Sequence, residues 1–384
     1  MKKVKEEKIK VKTITYKKVL LRKMNLTLLC FPFGVFLLWL ARKSAYFTEY
    51  VYAQRIFKAF SYGLSFLTGH LPFSLAEFLT ALAPILVIIN FAVTIIRIIK
   101  NKKEIFKRLL SWFLGILSAL SVGYLVYALG CGMNYHRYSL EYHLGLEVTE
   151  SSKEELSELC LDIARDARKI RNELNENENG VFSLPFSLNE YEEIAKQAMK
   201  ALSVEYPIFK GTNATPKAMV FSEVMSNINL TGIYTCYTME ANYNVNAADF
   251  KKGSTMCHEL AHLRGFIKED EANYISYLAC MKSESKEMQY SGLMMALIYA
   301  GNALAEVDIE EYRKLWSTYS DGMIRDILAN NEYWKQYQKK KVSQVSEKVN
   351  DNYLKANDEE DGVKSYGRVV DLLLAARRKQ RAGQ

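Results

Sequence analysis

The sequence predicts an α-rich membrane protein in which three N-terminal transmembrane helices precede an α+β extracytoplasmic domain. Two observations carry that reading. Most of the apolar excess of this 384-residue chain, 49% hydrophobic in all, lies before residue 132 in three long stretches with almost no charge. The rest is more polar, mixes helical periodicity with a few short β-rich runs, and holds an H-E-x-x-H motif at residues 258–262.

The membrane block comes first. Residues 1–24 form a basic N-terminus, 25–131 the membrane domain, and 135–384 the domain outside. Residues 25–41 are uncharged and just long enough to span, residues 74–96 are broken only by Glu77, Pro84 and Asn90, and 109–131 carry no charge. A spanning helix needs about 20 such residues. Arg42 and Lys43 follow the first stretch where a signal peptide would show small residues for cleavage. The piece from Phe60 to Leu71 is too short to span and is expected at the interface or as a re-entrant turn.

Charge sets the orientation. Lys2, Lys3, Lys5, Lys8, Lys10, Lys12, Lys17, Lys18, Arg22 and Lys23 precede the first stretch. Arg97, Lys100, Lys102, Lys103, Lys107 and Arg108 separate the second from the third. The positive-inside rule places both clusters in the cytoplasm, so the chain after about residue 132 lies outside. The net charge of +8 then reflects topology, with the lipid bilayer as partner. No basic pattern interleaved with stacking aromatics accompanies it, and nucleic acid is not expected. Cys160, Cys236, Cys257 and Cys280 fall on the oxidising side without the spacing of a disulfide framework; Cys257 reads as a buried helix residue. His136 and His143 read as interfacial.

In the outer domain, residues 151–176 have the period of an amphipathic helix, with Leu156, Leu159, Cys160, Ile163 and Ala167 on one face. A loop with Pro185 leads to a helix over 188–203, and Pro207, Gly211 and Pro216 mark an irregular link. Ala218–Ser222 and Gly232–Met239 suit short strands. Helices are expected over 270–285, 291–306, 309–339 and 363–379, with Met294, Met295, Leu297, Ile298 and Ala300 in the core. Lys339–Lys341 read as a solvated helix end. The acidic loop 357–362 lacks the alternating ligand spacing of an EF-hand, so calcium is not expected there.

The motif carries the chemistry. His258 and His262, two of only five histidines, stand four apart on one helical face and can ligate one metal ion. Glu259 then sits beside that metal, where it can take a proton from water. Gly265 is a natural helix C-terminus. Glu269, Asp270 and Glu271 open the next helix, where acids suit the helix dipole but also offer the missing oxygen ligand.

The segment Glu269-x-x-Ala272-Asn273 resembles the E-x-x-[AS]-[DN] element of gluzincin metallopeptidases. The resemblance implies a zincin-like fold, Glu269 as third ligand and Asn273 orienting a ligating histidine. The seven residues from His262 to Glu269 are fewer than that family usually has, which keeps Glu271 as the alternative third ligand. In zincin folds a strand placed like Asn242–Asn246 lines the cleft and pairs with extended substrate, and a downstream Tyr, His or Arg donates to the transition state; Tyr366 and Arg368 are the candidates. A metzincin reading would make Lys268 the third ligand and is rejected. The run H-E-L-A-H-L-R-G-F-I-K-E-D-E-A-N-Y, with Thr238–Val245 and Ser365–Leu373, is similar to the DUF3810 family of bacterial membrane proteins. The expectation is a membrane-anchored zinc metallopeptidase that hydrolyses peptides or proteins through Zn2+ and metal-activated water, with Glu259 as general base. The alternative is a non-catalytic zinc-binding sensor or envelope scaffold.

Overall fold

A computed structural model describes residues 26–338, 340–357 and 367–383. The basic N-terminus, Lys339, most of the acidic loop 357–362 and Tyr366 lie outside the described residues.

Helix α1 (Leu26–Lys43) is followed by an 11-residue π-helical segment (Phe47–Phe57) and α2 (Lys58–Gly69). Then α3 (Leu75–Lys100) and α4 (Ile105–Gly130) form an antiparallel hairpin, turned by a single 3-10 turn at Lys102–Glu104. Each hairpin helix has 26 residues. At 1.5 Å per residue that is about 39 Å, enough to cross a bilayer. Their outward faces are apolar: Ile88 is 67% exposed and Leu120 65%. These two helices are long and apolar enough to cross a membrane. Helix α1, shorter at 18 residues, packs along α4. Pro32 has no N–H for the Leu28 carbonyl, and Ser121 of α4 donates to that carbonyl at 3.2 Å instead.

The expected short piece at 60–71 is helix α2, and it docks on the domain through hydroxyls. Ser61 Oγ donates to the Leu263 carbonyl at 3.0 Å, and Tyr62 to the Gly211 carbonyl at 2.6 Å.

In the domain, α5 (Lys153–Arg171) and α6 (Leu188–Glu205) each start on a capping box, Ser152 with Glu155 and Ser187 with Glu190. The face expected on α5 is buried. Arg171, from its last turn, pairs with the buried Asp326 at 2.6 Å. A small sheet follows, with β1 (Lys217–Ala218) parallel to β3 (Glu240–Tyr243) and β2 (Gly232–Thr235) antiparallel to it, in the order β1-β3-β2. Of the strand anticipated at Asn242–Asn246 only Asn242 and Tyr243 belong to β3, which is central and paired on both sides; the next three residues have already left the sheet. Strand β3 has no free edge to offer; the edge strands are β1 and β2, and of these β2 borders the cavity through Gly232.

Behind the sheet, α7 (Asp249–Leu263), α8 (Glu269–Lys282) and α9 (Lys286–Val307) share one core containing Met256, Leu260, Ile275, Met294 and Leu297. The helix expected over 309–339 breaks into α10 (Ile309–Trp316) and α11 (Asp321–Gln338). Ser317 and Thr318 turn their hydroxyls onto the carbonyls of Lys314 and Leu315, and Tyr319 enters the core. Helices α12 (Lys341–Ala356) and α13 (Val369–Ala382) complete the described chain.

Sheet and hairpin are joined by charge. Glu240 of β3 accepts the N–H groups of Leu75 and Ala76 at 3.0 and 2.8 Å, capping the positive end of α3. Lys217 of β1 holds the same carboxylate at 2.6 Å. At the end of α4, the Gly130 carbonyl accepts from Tyr234 of β2 at 2.9 Å. The domain thus sits at the open end of the hairpin, and the basic turn around Lys102 is at the other.

Candidate metal centre and the cleft around it

Helix α7 carries both histidines, and its ending sets one of them. Gly265, with φ +89°, lets the chain leave the helix in the left-handed conformation, so Phe266 N–H bonds back to Ala261 and Gly265 N–H to His262. That turn brings the Phe266 carbonyl to 2.8 Å from Nδ1 of His262. His258 Nδ1 lies 2.8 Å from Asn273 Oδ1 on α8. Both rings thereby present Nε2 to the same point.

Glu269, at the first turn of α8, faces that point. Its Oε2 lies 3.1 Å from His258 Nε2 and 3.7 Å from His262 Nε2, and among the described residues forms no well-aligned hydrogen bond. The three donor atoms lie within 4.8 Å of one another. Burial opposes ionisation of Glu269, but the two imidazoles hold its carboxyl well below the usual range. Burial likewise opposes a charged His262, and the Glu269 carboxylate outweighs it, pulling the ring up to about 9. The three side chains thus favour positive charge at the point they share. Two imidazole nitrogens and one carboxylate oxygen suit zinc, with room for a fourth, open position.

Glu271 turns away. Its carboxylate accepts the Leu140 N–H at 3.0 Å and lies 3.9 Å from Lys268, and burial pushes it up to about 7. The two acids expected to compete for the centre therefore point to different places, and Glu269 is the one beside the imidazoles.

Glu259 is buried next to the histidines, and among the described residues its Oε2 has no hydrogen-bond partner. Burial raises its pKa, against the pull of both imidazoles. Gly232 of β2 lies tightly against it: a Cβ there would run into Glu259 Oε1 and come within 2.7 Å of Thr255 Cγ2. His258 and Glu259 line a cavity of about 500 Å3 with Gly232, Asn273, Met295 and Tyr299.

Tyr299 was not among the sequence candidates. Burial pushes its phenol up to about 12, with the Glu269 charge adding, so it is a protonated donor at neutral pH. Its signal was hidden because the middle of α9, residues 292–301, looks apolar on every face; Met294, Leu297 and Ala300 are indeed buried, whereas Met295, Ile298 and Tyr299 line the cavity. Arg368 lies 3.6 Å from Asp270 and is not among the cavity-lining residues. His143 is half-buried beside Glu49, its Nε2 3.2 Å from the carboxylate that Arg137 also holds.

The family model described as a protein of unknown function, DUF3810, matches residues 52–374. The chain belongs to the DUF3810 family. The match runs from the π-helical segment through the hairpin and the candidate centre into α13, so the DUF3810 unit includes membrane-type helices and cleft together. Among curated proteins and among solved structures nothing matches the chain.

Proposed function

We propose that this protein is a zinc metallopeptidase of zincin type, anchored in the cell membrane with its cleft outside the cytoplasm. The observation that carries the reading is the convergence of His258, His262 and Glu269 within 4.8 Å, beside a buried Glu259 at the wall of a cavity. Zinc held there would supply Lewis acidity, acidifying water towards a pKa of ~7 and polarising the scissile carbonyl.

The chain's own groups do the rest. Glu259 takes the proton of the attacking water and passes it to the leaving amine. Tyr299 donates its phenolic O–H as negative charge builds on the carbonyl oxygen. The free edge of β2 offers backbone groups to an extended peptide, a mode with little side-chain selectivity. Asn273 and the Phe266 carbonyl fix the two imidazoles.

The membrane topology is part of the proposal. With α3 and α4 spanning, the basic turn at 97–108 lies on the cytoplasmic side and the domain opposite, as the positive-inside rule requires. Helix α1 is the third span, returning the N-terminus to the cytoplasm.

The test is Glu259→Gln in the full-length protein. Zinc content should match wild type, and hydrolysis of peptides should vanish. Retained hydrolysis would remove Glu259 from its role; a wild type that binds zinc but leaves peptide ends in the membrane proteome unchanged would be a scaffold.

A further inference from the structure

Lys251 lies seven residues before His258 on α7, about 10 Å along the helix axis and nearly on the same face. It lines the cavity of His258 and Glu259, and also a second cavity of about 500 Å3 that continues from the first. Phe250, Asn229, Thr231 and Ile298 are shared with it at this junction. Beyond the junction the walls are aromatic and amide-bearing, including Trp316, Trp334, Asn302, Asn330 and Asn331.

The charges in this cleft are uneven. Among the described residues, Lys251 is the one charged residue lining the second cavity. In the first, the acids are Glu259, beside the histidines, and Glu347, which accepts from Asn229 at 3.0 Å. The neighbouring Lys252 pairs with Asp249, but among the described residues the Lys251 ammonium has neither an ion pair nor a hydrogen bond. Burial lowers its pKa and no carboxylate offsets the shift. A cation kept half-buried without a partner is costly unless something else supplies the anion.

We propose that Lys251 receives a carboxylate of the substrate, making the cleft selective for peptides with a negative charge about two to three residues from the scissile bond. The inference rests on the peptidase reading above. An extended peptide rises about 3.3 Å per residue, so that spacing bridges the distance from the centre to the lysine. The carboxylate comes from a free C-terminus or from an Asp or Glu side chain, and both satisfy the same geometry. The ammonium donates to it in a charge-assisted bond.

The experiment uses full-length, zinc-loaded Glu259→Gln protein in lipid nanodiscs, so that peptides bind without turnover. Three fluorescent oligo-alanine peptides are compared: one with a free C-terminus, one amidated, and one amidated with Glu near its end. At least one carboxylate peptide should bind about ten-fold or more tightly than the neutral amide, and which one does so identifies the source. Adding Lys251→Met should bring the peptides within about two-fold of each other, while Lys251→Arg should keep most of the preference. Equal zinc content in all variants verifies that they fold. Peptides that bind without any carboxylate preference, or a preference that survives Lys251→Met, overturn the inference and leave the peptidase reading standing. Absence of binding by all three overturns both.

Discussion

Asn273 Oδ1 sits 2.8 Å from Nδ1 of His258, on the side of the ring away from Glu269. The amide fixes both the tautomer and the direction of Nε2, so α8 supplies the carboxylate at Glu269 and, one turn later, the group that aims its partner. Replacing Asn273 by Ala should weaken zinc affinity about 10- to 100-fold. Competition against a chromophoric chelator measures it, and Asn273→Asp, which still accepts from Nδ1, should recover most of the loss.

Gly232→Ala tests the contact between β2 and the proposed base. The new methyl would press on the Glu259 carboxylate and Thr255, with no metal donor touched. Zinc content should be unchanged while kcat falls on the order of 10²-fold, as expected for a misplaced catalytic group. A variant with unchanged kcat would mean that Glu259 tolerates displacement and is not positioned by β2.

Tyr299→Phe removes one hydroxyl from the cavity wall. If that hydroxyl shares the charge of the carbonyl oxygen, kcat should fall about 10²- to 10³-fold with KM nearly constant. A rise in KM alone would assign Tyr299 to ground-state binding instead.

Glu240→Ala leaves the ammonium of Lys217, its side chain only 12% exposed, without its carboxylate and leaves the Leu75 and Ala76 N–H groups of α3 without their acceptor, while Ser74 still caps Glu77 N–H. Breaking a buried pair by removing one partner costs about 3–5 kcal/mol. Thermal unfolding of the protein in detergent should register the loss, and Lys217→Met in the same background should recover part of it by removing the stranded charge.

Some of this was legible in the sequence and some was not, for physical reasons. Local chemistry was readable: the amphipathic period of α5, the Gly265 stop, the four-residue histidine spacing and the apolar stretches all act within a turn or two of chain. The choice between Glu269 and Glu271 was not, because it is made by α7 on one side and Leu140 on the other. Two residues turn a helix by about 200°, so the acids face opposite ways, but only packing decides which faces the histidines. Strand β3 has no free edge because β1, some twenty residues earlier in the chain, pairs with it on the side that β2 leaves open. The break between α10 and α11 follows from hydroxyl competition at Ser317 and Thr318, residues that helical periodicity alone passes over.

The Glu240 clamp has a mechanical meaning. One carboxylate grips the first turn of α3 while its own strand lies next to the one bordering the cleft. With the hairpin in the bilayer, the cleft stands at a fixed height and orientation above the lipid, like a tool bolted to a bench rather than hung on a cord. Such a cleft has no reach, and on the proposed peptidase reading a polypeptide would be cut only where its own thread passes at that height.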